Sequence, residues 1–315
     1  MNIFIQSCHA ALEFDQAIMF GMMGHCVAGN FDVGSKQRPK IVGVTDISHD
    51  VQDAYVSADV IVLHQCEDYS NVFRQCCAKM GQRPVILSYF GQGCSVQHTH
   101  VASTLMSVPN AYVVCYSRKE ERMFKALGVP DRKYRMIRFG KLIDDYRLHG
   151  GWNGVLPVAY MTCNSVERRG DGCGWPLLKS LMDTQLPVML SGKETETLKR
   201  GIGELDYEGI KSMYRNCRCF VSLGTQPAPL VLTQIEAMVT GCPVIVYDNG
   251  CGIVDEGLPV VIARTEVELD CIVTQVLGDY SLAVSLSKKA DTQVVAEFNM
   301  GNVAARWEAF METMK

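Results

Sequence analysis

The chain has 315 residues and a formal net charge of −4, with 30 lysine and arginine residues against 34 aspartate and glutamate residues. Hydrophobic residues make up 48% of the sequence and charged residues 20%, which excludes a disordered, collagen-like or coiled-coil protein. At about 150 residues per domain, this length predicts two domains, each with its own apolar core. The slightly acidic balance disfavours a general nucleic-acid binder, unless a basic patch is hidden in the total.

Short β-branched runs alternate with helical patterns along the chain, which is typical of parallel sheets built from strand–helix–strand units. In the first half we predict strands at 2–7, 59–64, 84–90, 111–117 and 134–139, and helices at 13–23, 71–80, 96–106 and 119–127. A polar, glycine-containing stretch without periodicity follows at 143–157 and indicates a linker.

The alternation of strands and helices then begins again. We predict strands at 158–163, 188–191, 219–223, 244–247 and 260–263, helices at 175–182, 207–216, 230–239 and 266–277, and one or two more helices over 282–315. The sequence therefore predicts an α/β protein with two Rossmann-like parallel-sheet domains facing a central cleft. The predicted domains are residues 1–148 and 149–285, followed by a helical tail at 286–315.

The 14 cysteines include no C-x-x-C pair, which disfavours zinc knuckles and thioredoxin-like sites. Several lie in apolar runs, as at Cys115, Cys163 and Cys242, where a reduced thiol acts as a small hydrophobic group. We therefore expect a reducing, cytoplasmic environment. The first seven residues are too short and uncharged for a signal peptide, and no apolar stretch approaches the ~18 residues of a membrane span.

The common nucleotide-cofactor fingerprints are missing. The first predicted strand is followed by SCHAALEFDQ, which has no glycine, and VERRGDGCG in the second half has the wrong spacing for G-x-G-x-x-G. A P-loop motif is also absent from the sequence. A bound dinucleotide and simple nucleotide hydrolysis are therefore disfavoured, and we expect no cofactor.

The segment 214–246 carries the strongest functional signal. A strand is followed by the loop GTQPAP and by a helix that we predict to open at Leu230, with Pro229 in its first turn and Gly241 at its exit. The amides and the positive dipole end of such a helix favour a phosphate. One face of the helix is a polar row of Thr233, Glu236 and Thr240, which is also the pattern of a partly solvated helix face.

This segment resembles the carboxyl-domain signature of glycosyltransferases with the GT-B fold, especially the retaining group 1, or family 4-like, type. Their pattern, YR-x-A-x-x-F-x-x-S, a loop and LEAMA-x-G-x-PVI, is matched by MYRNCRCFVSLGTQPAPLVLTQIEAMVTGCPVI. The resemblance implies a hexosyl- or pentosyltransferase that uses a nucleotide-diphospho-sugar, with UDP favoured, as co-substrate. It also implies that Glu236 binds the ribose hydroxyls and that helices in the tail cross back to the first domain.

The resemblance implies further donor contacts, and one departure. Where the family carries a second glutamate that contacts the donor sugar, this chain has Ala228, so that Thr225 and Gln226 become the candidate contacts and the stereochemical outcome stays open. Basic residues in the loops after the first two strands of the second domain are expected to meet the diphosphate. The candidates are Arg168, Arg169 and Lys193, which the alternative interpretation places on solvated charged loops. No D-x-D pair follows a strand, so no metal is expected.

The first domain is then expected to bind the acceptor. Side chains after its predicted strands are candidates for the general base or for acceptor contacts. The base candidates are His9, Glu13, Asp15 and His64, and Gln92 is a candidate acceptor contact. The two carboxylates are the better bases for an inverting reaction, whereas single histidines are often structural.

Residues 118–147 contain ten basic and five acidic residues, so this stretch is locally basic. Its part DRKYRMIRFGK mixes basic and aromatic residues, a pattern typical of surfaces that follow phosphates. The compact size and the TQPA loop of the chain also resemble phage-type glycosyltransferases, some of which modify hydroxymethylated pyrimidines in DNA. This resemblance makes a 5-hydroxymethylpyrimidine in duplex DNA the favoured specific acceptor, with Arg135, Arg138 and Lys141 expected to contact the DNA backbone. Small-molecule, surface-glycan and lipid-linked acceptors remain alternatives, as do a catalytically silent binding subunit and a sugar-nucleotide epimerase.

Overall fold

The computed structural model describes residues 1–7, 10–29, 45–46, 56–65, 69–90, 95–250 and 252–314. The chain forms two compact units. The first comprises Met1–Gly140 together with Met300–Lys315, and the second comprises Lys141–Asn299.

The first unit is a seven-stranded parallel sheet with helices. Its strands are β1 (Asn2–Gln6), β2 (Cys26–Gly29), β3 (Thr45–Asp46), β4 (Val60–His64), β5 (Val85–Tyr89), β6 (Ala111–Cys115) and β7 (Tyr134–Met136). They are arranged in the order β3-β2-β1-β4-β5-β6-β7. Its helices are α1 (Ala10–Met22), α2 (Tyr69–Met80), α3 (Ser95–Ser107), α4 (Arg118–Ala126) and, from the end of the chain, a helix at Met300–Glu312.

The central strands of this sheet are buried along their whole length, as β4 (VIVLH) and β5 (VILSY) show. Continuous apolar runs of this kind are typical of parallel strands with helices on both faces. Register supports the same arrangement, since Ile3 pairs with Val60 and Ile61 with Val85 in parallel ladders. The carboxyl ends of β1, β4 and β5 therefore lie along one edge of the sheet.

The second unit is a five-stranded parallel sheet. Its strands are β8 (Leu156–Thr162), β9 (Val188–Ser191), β10 (Cys217–Ser222), β11 (Val244–Tyr247) and β12 (Val261–Ala263), in the order β12-β11-β10-β8-β9. Its helices are α5 (Ile143–Tyr146), α6 (Val166–Arg169), α7 (Trp175–Asp183), α8 (Tyr207–Asn216), α9 (Leu232–Thr240), α10 (Glu266–Gly278) and α11 (Tyr280–Phe298). The final helix of the chain, at Met300–Glu312, is α12.

The two parallel sheets confirm the predicted fold class, and most predicted strands lie within a few residues of the observed ones. Two strands were missed, β2 and β3, which have four and two residues. Runs of this length carry little periodicity, and β2 is specified by its parallel pairing with β1.

The units change at residues 140/141 and 299/300, whereas the sequence prediction placed the changes at 148/149 and 285/286. The difference has a physical reason at each boundary. Residues after Gly140 bond to the second unit, since the Lys141 amide donates to the Phe298 carbonyl at 2.8 Å. The helix α11 packs against α9 and α10 and therefore belongs to the second unit.

Among the described residues, no single helix is long and apolar enough to cross a membrane. The pair α10 and α11, bent by 103°, satisfies the criteria of length and composition jointly.

Candidate functional site

Three loops at the carboxyl edge of the second sheet are joined by hydrogen bonds. We call residues 163–174, 192–194 and 223–231, which follow β8, β9 and β10, the carboxyl-edge loops. The Ser165 amide donates to the Lys193 carbonyl at 2.8 Å, and the Lys193 amide donates to Asn164 Oδ1 at 3.0 Å. The Gln226 amide donates to the Gly172 carbonyl at 2.9 Å. These hydrogen bonds hold the three loops together at the edge of the sheet where ligands of open α/β sheets bind.

Glycine is required where these loops approach each other most closely. Gly192 has a φ of 136°, and a Cβ on it would lie 2.2 Å from the Cys163 carbonyl oxygen. Gly174 has a φ of 69°, and a Cβ there would lie 2.8 Å from Leu223 Cβ. Both positions combine a backbone conformation that favours glycine with a lack of space.

The three cations predicted for the donor diphosphate lie in the carboxyl-edge loops and are exposed. Arg168 Nη2 donates to Ser165 Oγ at 3.2 Å, and Arg169 Nη1 donates to Cys163 Sγ at 3.6 Å. The third cation, Lys193, shares the backbone bonds described above. Guanidinium groups in such positions are suited to bidentate contacts with phosphate oxygens.

Two thiols interact within the same loops. A hydrogen bond from Cys163 lowers the pKa of Cys173 to about 6, against the opposing effect of burial, with smaller contributions from the charge of Arg169 and a hydrogen bond from Thr225. The same hydrogen bond, followed by burial, raises the pKa of Cys163. The opposite directions of the two shifts mean that the Cys173 thiol ionises before the Cys163 thiol. The spacing of Cys163 and Cys173 in the sequence does not indicate this pair, because the two thiols meet only in the folded loops.

The side chains of the loop after β10 differ in their exposure to solvent. Thr225 is half-buried and Gln226 is exposed, with Gln226 Nε2 donating to the Asn249 carbonyl at 2.9 Å. Ala228 is 2% exposed, and its amide donates to the Thr225 carbonyl at 2.9 Å. The predicted contact residues Thr225 and Gln226 therefore reach the surface of the loop, whereas Ala228 faces the interior.

The helix α9 begins at Leu232, two residues later than predicted, because Pro229 lies in the loop before the Val231 N-cap. The Gln234 side chain fastens this start: its Oε1 accepts the Val231 amide at 3.2 Å, and its Nε2 donates to Ser222 Oγ at 2.9 Å. The helix exit is as predicted, with Gly241 at a φ of 92°. The first turn of α9 is thereby fixed to the end of β10.

The polar row of α9 is not a solvated face. Glu236 and Thr240 are buried, and Thr240 Oγ1 donates to the Glu236 carbonyl at 2.8 Å. Glu236 Oε1 accepts a bond from Lys141 Nζ at 3.0 Å, with 0% of the lysine side chain and 5% of the glutamate side chain exposed. Lys141 was predicted to contact acceptor phosphates at the surface. That prediction is wrong in its placement, because the side chain lies inside the second unit.

In the first unit, the structure also corrects the prediction that Arg135 and Arg138 share one exposed basic surface. Arg138 is fully buried, and its Nη1 donates to the Tyr116 carbonyl at 2.9 Å. Arg135 is exposed, with its guanidinium carbon 6.0 Å from the centre of the Phe310 ring. Lys133, in the same stretch, is buried against backbone carbonyls. The mixture of basic and aromatic residues in this stretch therefore does not form one exposed surface, since Lys133 and Arg138 are buried and Arg135 is exposed.

The base candidate His64 ends β4 within a buried hydrogen-bond network. Its Nδ1 lies 3.0 Å from Ser7 Oγ, and its Nε2 lies 2.9 Å from Gln16 Oε1. Gln16 Nε2 donates to Ser88 Oγ at 3.1 Å and to the Tyr116 hydroxyl at 2.7 Å. Because the Gln16 amide nitrogen is used in this way, its oxygen accepts from His64 Nε2. The contacts at both ring nitrogens fix the orientation of the imidazole.

The carboxylate candidates Glu13 and Asp15 both lie on α1 and are buried, at 4% and 6% exposure. Asp15 lines a small cavity in the first unit together with Gln16, Arg138 and Trp307. A carboxylate and a guanidinium on one cavity wall form a charged polar lining inside an apolar unit. The other two candidates of this unit, His9 and Gln92, lie outside the described residues.

No group of three or more histidine, cysteine, aspartate or glutamate side chains that could hold a metal ion occurs among the residues described above.

Two parallel-sheet units, with the last helix of the chain belonging to the first unit, define the GT-B fold. Comparison with solved structures agrees with this class. HepE (Alr3699) of Anabaena, solved in complex with UDP and glucose, is 13% identical with a TM-score of 0.74, and the match covers 99% of this chain and 100% of that one.

Sucrose-phosphate synthase of Thermosynechococcus elongatus is 15% identical with a TM-score of 0.69, covering 100% of this chain and 99% of that one. A Listeria monocytogenes protein assigned as a UDP-N-acetylglucosamine 2-epimerase is 11% identical with a TM-score of 0.62, covering 99% and 96%. No protein-family model matches the chain, and no curated protein matches it. At these identities, the likeness establishes the fold.

Proposed function

We propose that the chain is a glycosyltransferase that moves a sugar from a UDP-sugar to a hydroxyl acceptor. The observation that carries this proposal is the carboxyl edge of the second sheet, where exposed cations in the carboxyl-edge loops accompany the buried carboxylate of Glu236 on α9. UDP is favoured as the nucleotide because HepE, which shares the fold, has been solved with UDP and with UDP-glucose.

Different residues of this edge are proposed to bind the diphosphate, the ribose and the sugar of the donor. Arg168, Arg169 and Lys193 supply positive charge for the diphosphate, which becomes the leaving group. Glu236 accepts hydrogen bonds from the two ribose hydroxyls, since one carboxylate can accept from a vicinal diol. Thr225 and Gln226, at the surface of the loop after β10, contact the donor sugar.

The first unit would bind the acceptor. Glu13 or Asp15 takes the acceptor proton if the reaction inverts, because each is a carboxylate near the carboxyl edge of the first sheet. His64 has a supporting role in this proposal, since both of its ring nitrogens are engaged with Ser7 and Gln16.

A hydroxymethylpyrimidine of duplex DNA is one candidate acceptor, and its support is weaker than the sequence indicated. Arg138 and Lys141 are buried, so neither contacts a DNA phosphate from where it lies. Of the three predicted contacts only Arg135 is exposed, together with other basic residues of the same stretch: Arg118, Lys119, Arg122, Lys125 and Arg132. Small-molecule and glycan hydroxyls are therefore the broader acceptor class that we propose.

The test is release of UDP from a panel of UDP-hexoses and UDP-pentoses with hydroxymethylated DNA, glycans and small alcohols as acceptors. Calorimetric binding of UDP accompanies it. Arg168→Ala and Lys193→Ala are expected to weaken UDP binding about tenfold each, the effect of losing one charge-assisted hydrogen bond. Lys179→Ala, an exposed lysine in the middle of α7, is the matched control and should bind as the wild type.

Three results would contradict the proposal. Failure to bind UDP or any other nucleoside diphosphate would remove the donor site. Binding of UDP-sugars with no transfer to any acceptor would favour a silent binding subunit. Conversion of one UDP-sugar into its epimer would favour an epimerase, the assignment of the Listeria protein that shares this fold.

A further inference from the structure

The segment that begins the second unit holds α9 at three points. Arg147 Nε and the Trp152 amide donate to two carbonyls of the last turn of α9, at 2.7 and 2.9 Å. Both bonds satisfy carbonyls that a helix end leaves without intrahelical partners. Lys141 makes a different contact, because its Nζ bonds the side chain of Glu236 at 3.0 Å.

Both the backbone and the ammonium group of Lys141 have defined contacts. Its amide donates to the Phe298 carbonyl at 2.8 Å, and its backbone pairs with Asn299 as an isolated parallel bridge. Its Nζ lies 5.8 Å from the centre of the Tyr146 ring, and the whole residue is 0% exposed. The main chain of Lys141 is therefore anchored to the end of α11, and its ammonium group lies near both Glu236 and the Tyr146 ring.

A fixed, buried ion pair needs a reason beyond stability. Removing two charges from water costs about as much as their attraction returns, so an apolar pair of the same volume would often serve as well. A carboxylate retains several acceptor positions after it has taken one lysine bond. The pairing therefore gives Glu236 a defined orientation and a compensated charge.

We propose that Lys141 is a positioning residue for nucleotide binding: it orients Glu236 as the acceptor of the ribose hydroxyls. This inference rests on the proposed function, since it assumes that Glu236 contacts a nucleotide ribose. Lys141 thereby moves from a surface contact for acceptor phosphates to a buried determinant of donor recognition.

The experiment compares UDP with 2′-deoxy-UDP by calorimetry. The wild type is expected to prefer UDP by about tenfold, the value of one hydrogen bond to a charged group. Lys141→Met should remove this preference while binding 2′-deoxy-UDP as the wild type does, and Lys141→Met combined with Glu236→Gln should lose no more than Glu236→Gln alone. Lys211→Met is the matched control: Lys211 is 1% exposed and bonds Asp145 in the same unit at 3.0 Å.

A merely structural role would lower the affinity for both nucleotides equally, and a folded Lys141→Met protein with the wild-type UDP preference would overturn the inference. If Lys141→Met does not fold, Lys141→Gln replaces it under the same criterion, because its shorter neutral side chain does not hold the carboxylate. A wild type that binds UDP and 2′-deoxy-UDP equally overturns the inference and the contact of Glu236 with the 2′-hydroxyl, but leaves the proposed transferase activity standing. A wild type that binds neither overturns the proposed function as well.

Discussion

Lys133 is expected to stabilise the first unit rather than to bind an anion. Its ammonium group donates to the carbonyls of Val108 at 3.0 Å and Ala111 at 3.2 Å, and also to that of Pro109. Burial is the main cause that lowers the pKa of Lys133, followed by the charge of Arg132. The side chain thus joins the turn before β6 to the segment before β7 at a cost in hydration.

Lys133→Met removes all three bonds at nearly constant volume. The Val108 carbonyl also accepts the Ala111 amide at 3.3 Å, so the loss is concentrated at the other two carbonyls. At roughly 1.5–2 kcal/mol for each lost bond to a charged donor, the free energy of unfolding should fall by about 3 kcal/mol. The substitution also removes the cost of burying the ammonium group, which partly offsets the lost bonds. The lower value for each bond is therefore used.

The measurement is urea unfolding followed by circular dichroism at neutral pH. Arg132→Met is the matched control, since this neighbour is exposed and its replacement should change the free energy of unfolding by no more than about 0.5 kcal/mol. A loss below about 1 kcal/mol for Lys133→Met would show that the three carbonyls do not depend on the ammonium group. The assignment of Lys133 to the interior would then be wrong.

Three further outcomes are expected. Gly192→Ala should cost at least about 2 kcal/mol of stability, because its Cβ would lie 2.2 Å from a backbone carbonyl, whereas Gly172→Ala, with nothing within 4 Å, should be nearly neutral in calorimetric melting. Ser117→Ala should cost about 1 kcal/mol in urea unfolding, because its hydroxyl accepts an amide of α4 at 3.2 Å; an unchanged midpoint would contradict this. Thiolate absorbance should titrate near pH 6 and vanish in Cys173→Ser but not in Cys271→Ser. Because the folded-state pKa of Cys173 is depressed from 9.0 to about 6, its contribution to stability is present above pH 9 and lost as pH falls to 6.

The sheet architecture could be predicted from the sequence because its strands are continuous apolar runs. The strand β5 (Val85–Tyr89) and the strand β11 (Val244–Tyr247) are examples, each bounded by turn or helix signals. The strand β3 (Thr45–Asp46) could not be predicted, since its two residues have no periodicity and depend on pairing with β2. An element can be predicted from local composition only when its own residues carry a hydrophobic pattern.

The placement of charged side chains could not be predicted in the same way. Lys133 bonds carbonyls 22 to 25 residues earlier in the chain, and Lys141 bonds a carboxylate 95 residues later. Long basic side chains have apolar stems that can be buried when their ends find acceptors. A local excess of positive charge therefore indicates an exposed basic surface only when no distant acceptor binds these side chains in the interior. Here the backbone carbonyls bind Lys133, and the Glu236 carboxylate binds Lys141.

The same limit applies to Ala228, where the sequence departs from the glycosyltransferase pattern. On the sequence alone, Ala228 reads as a missing carboxylate at the donor sugar. In the structure its side chain faces the interior of the loop after β10 and is 2% exposed, whereas Gln226, two residues earlier, is exposed. A carboxylate at position 228 would be buried at considerable cost. An alanine therefore suits this buried position, and sugar recognition in the proposed reaction falls to the polar side chains that the loop exposes.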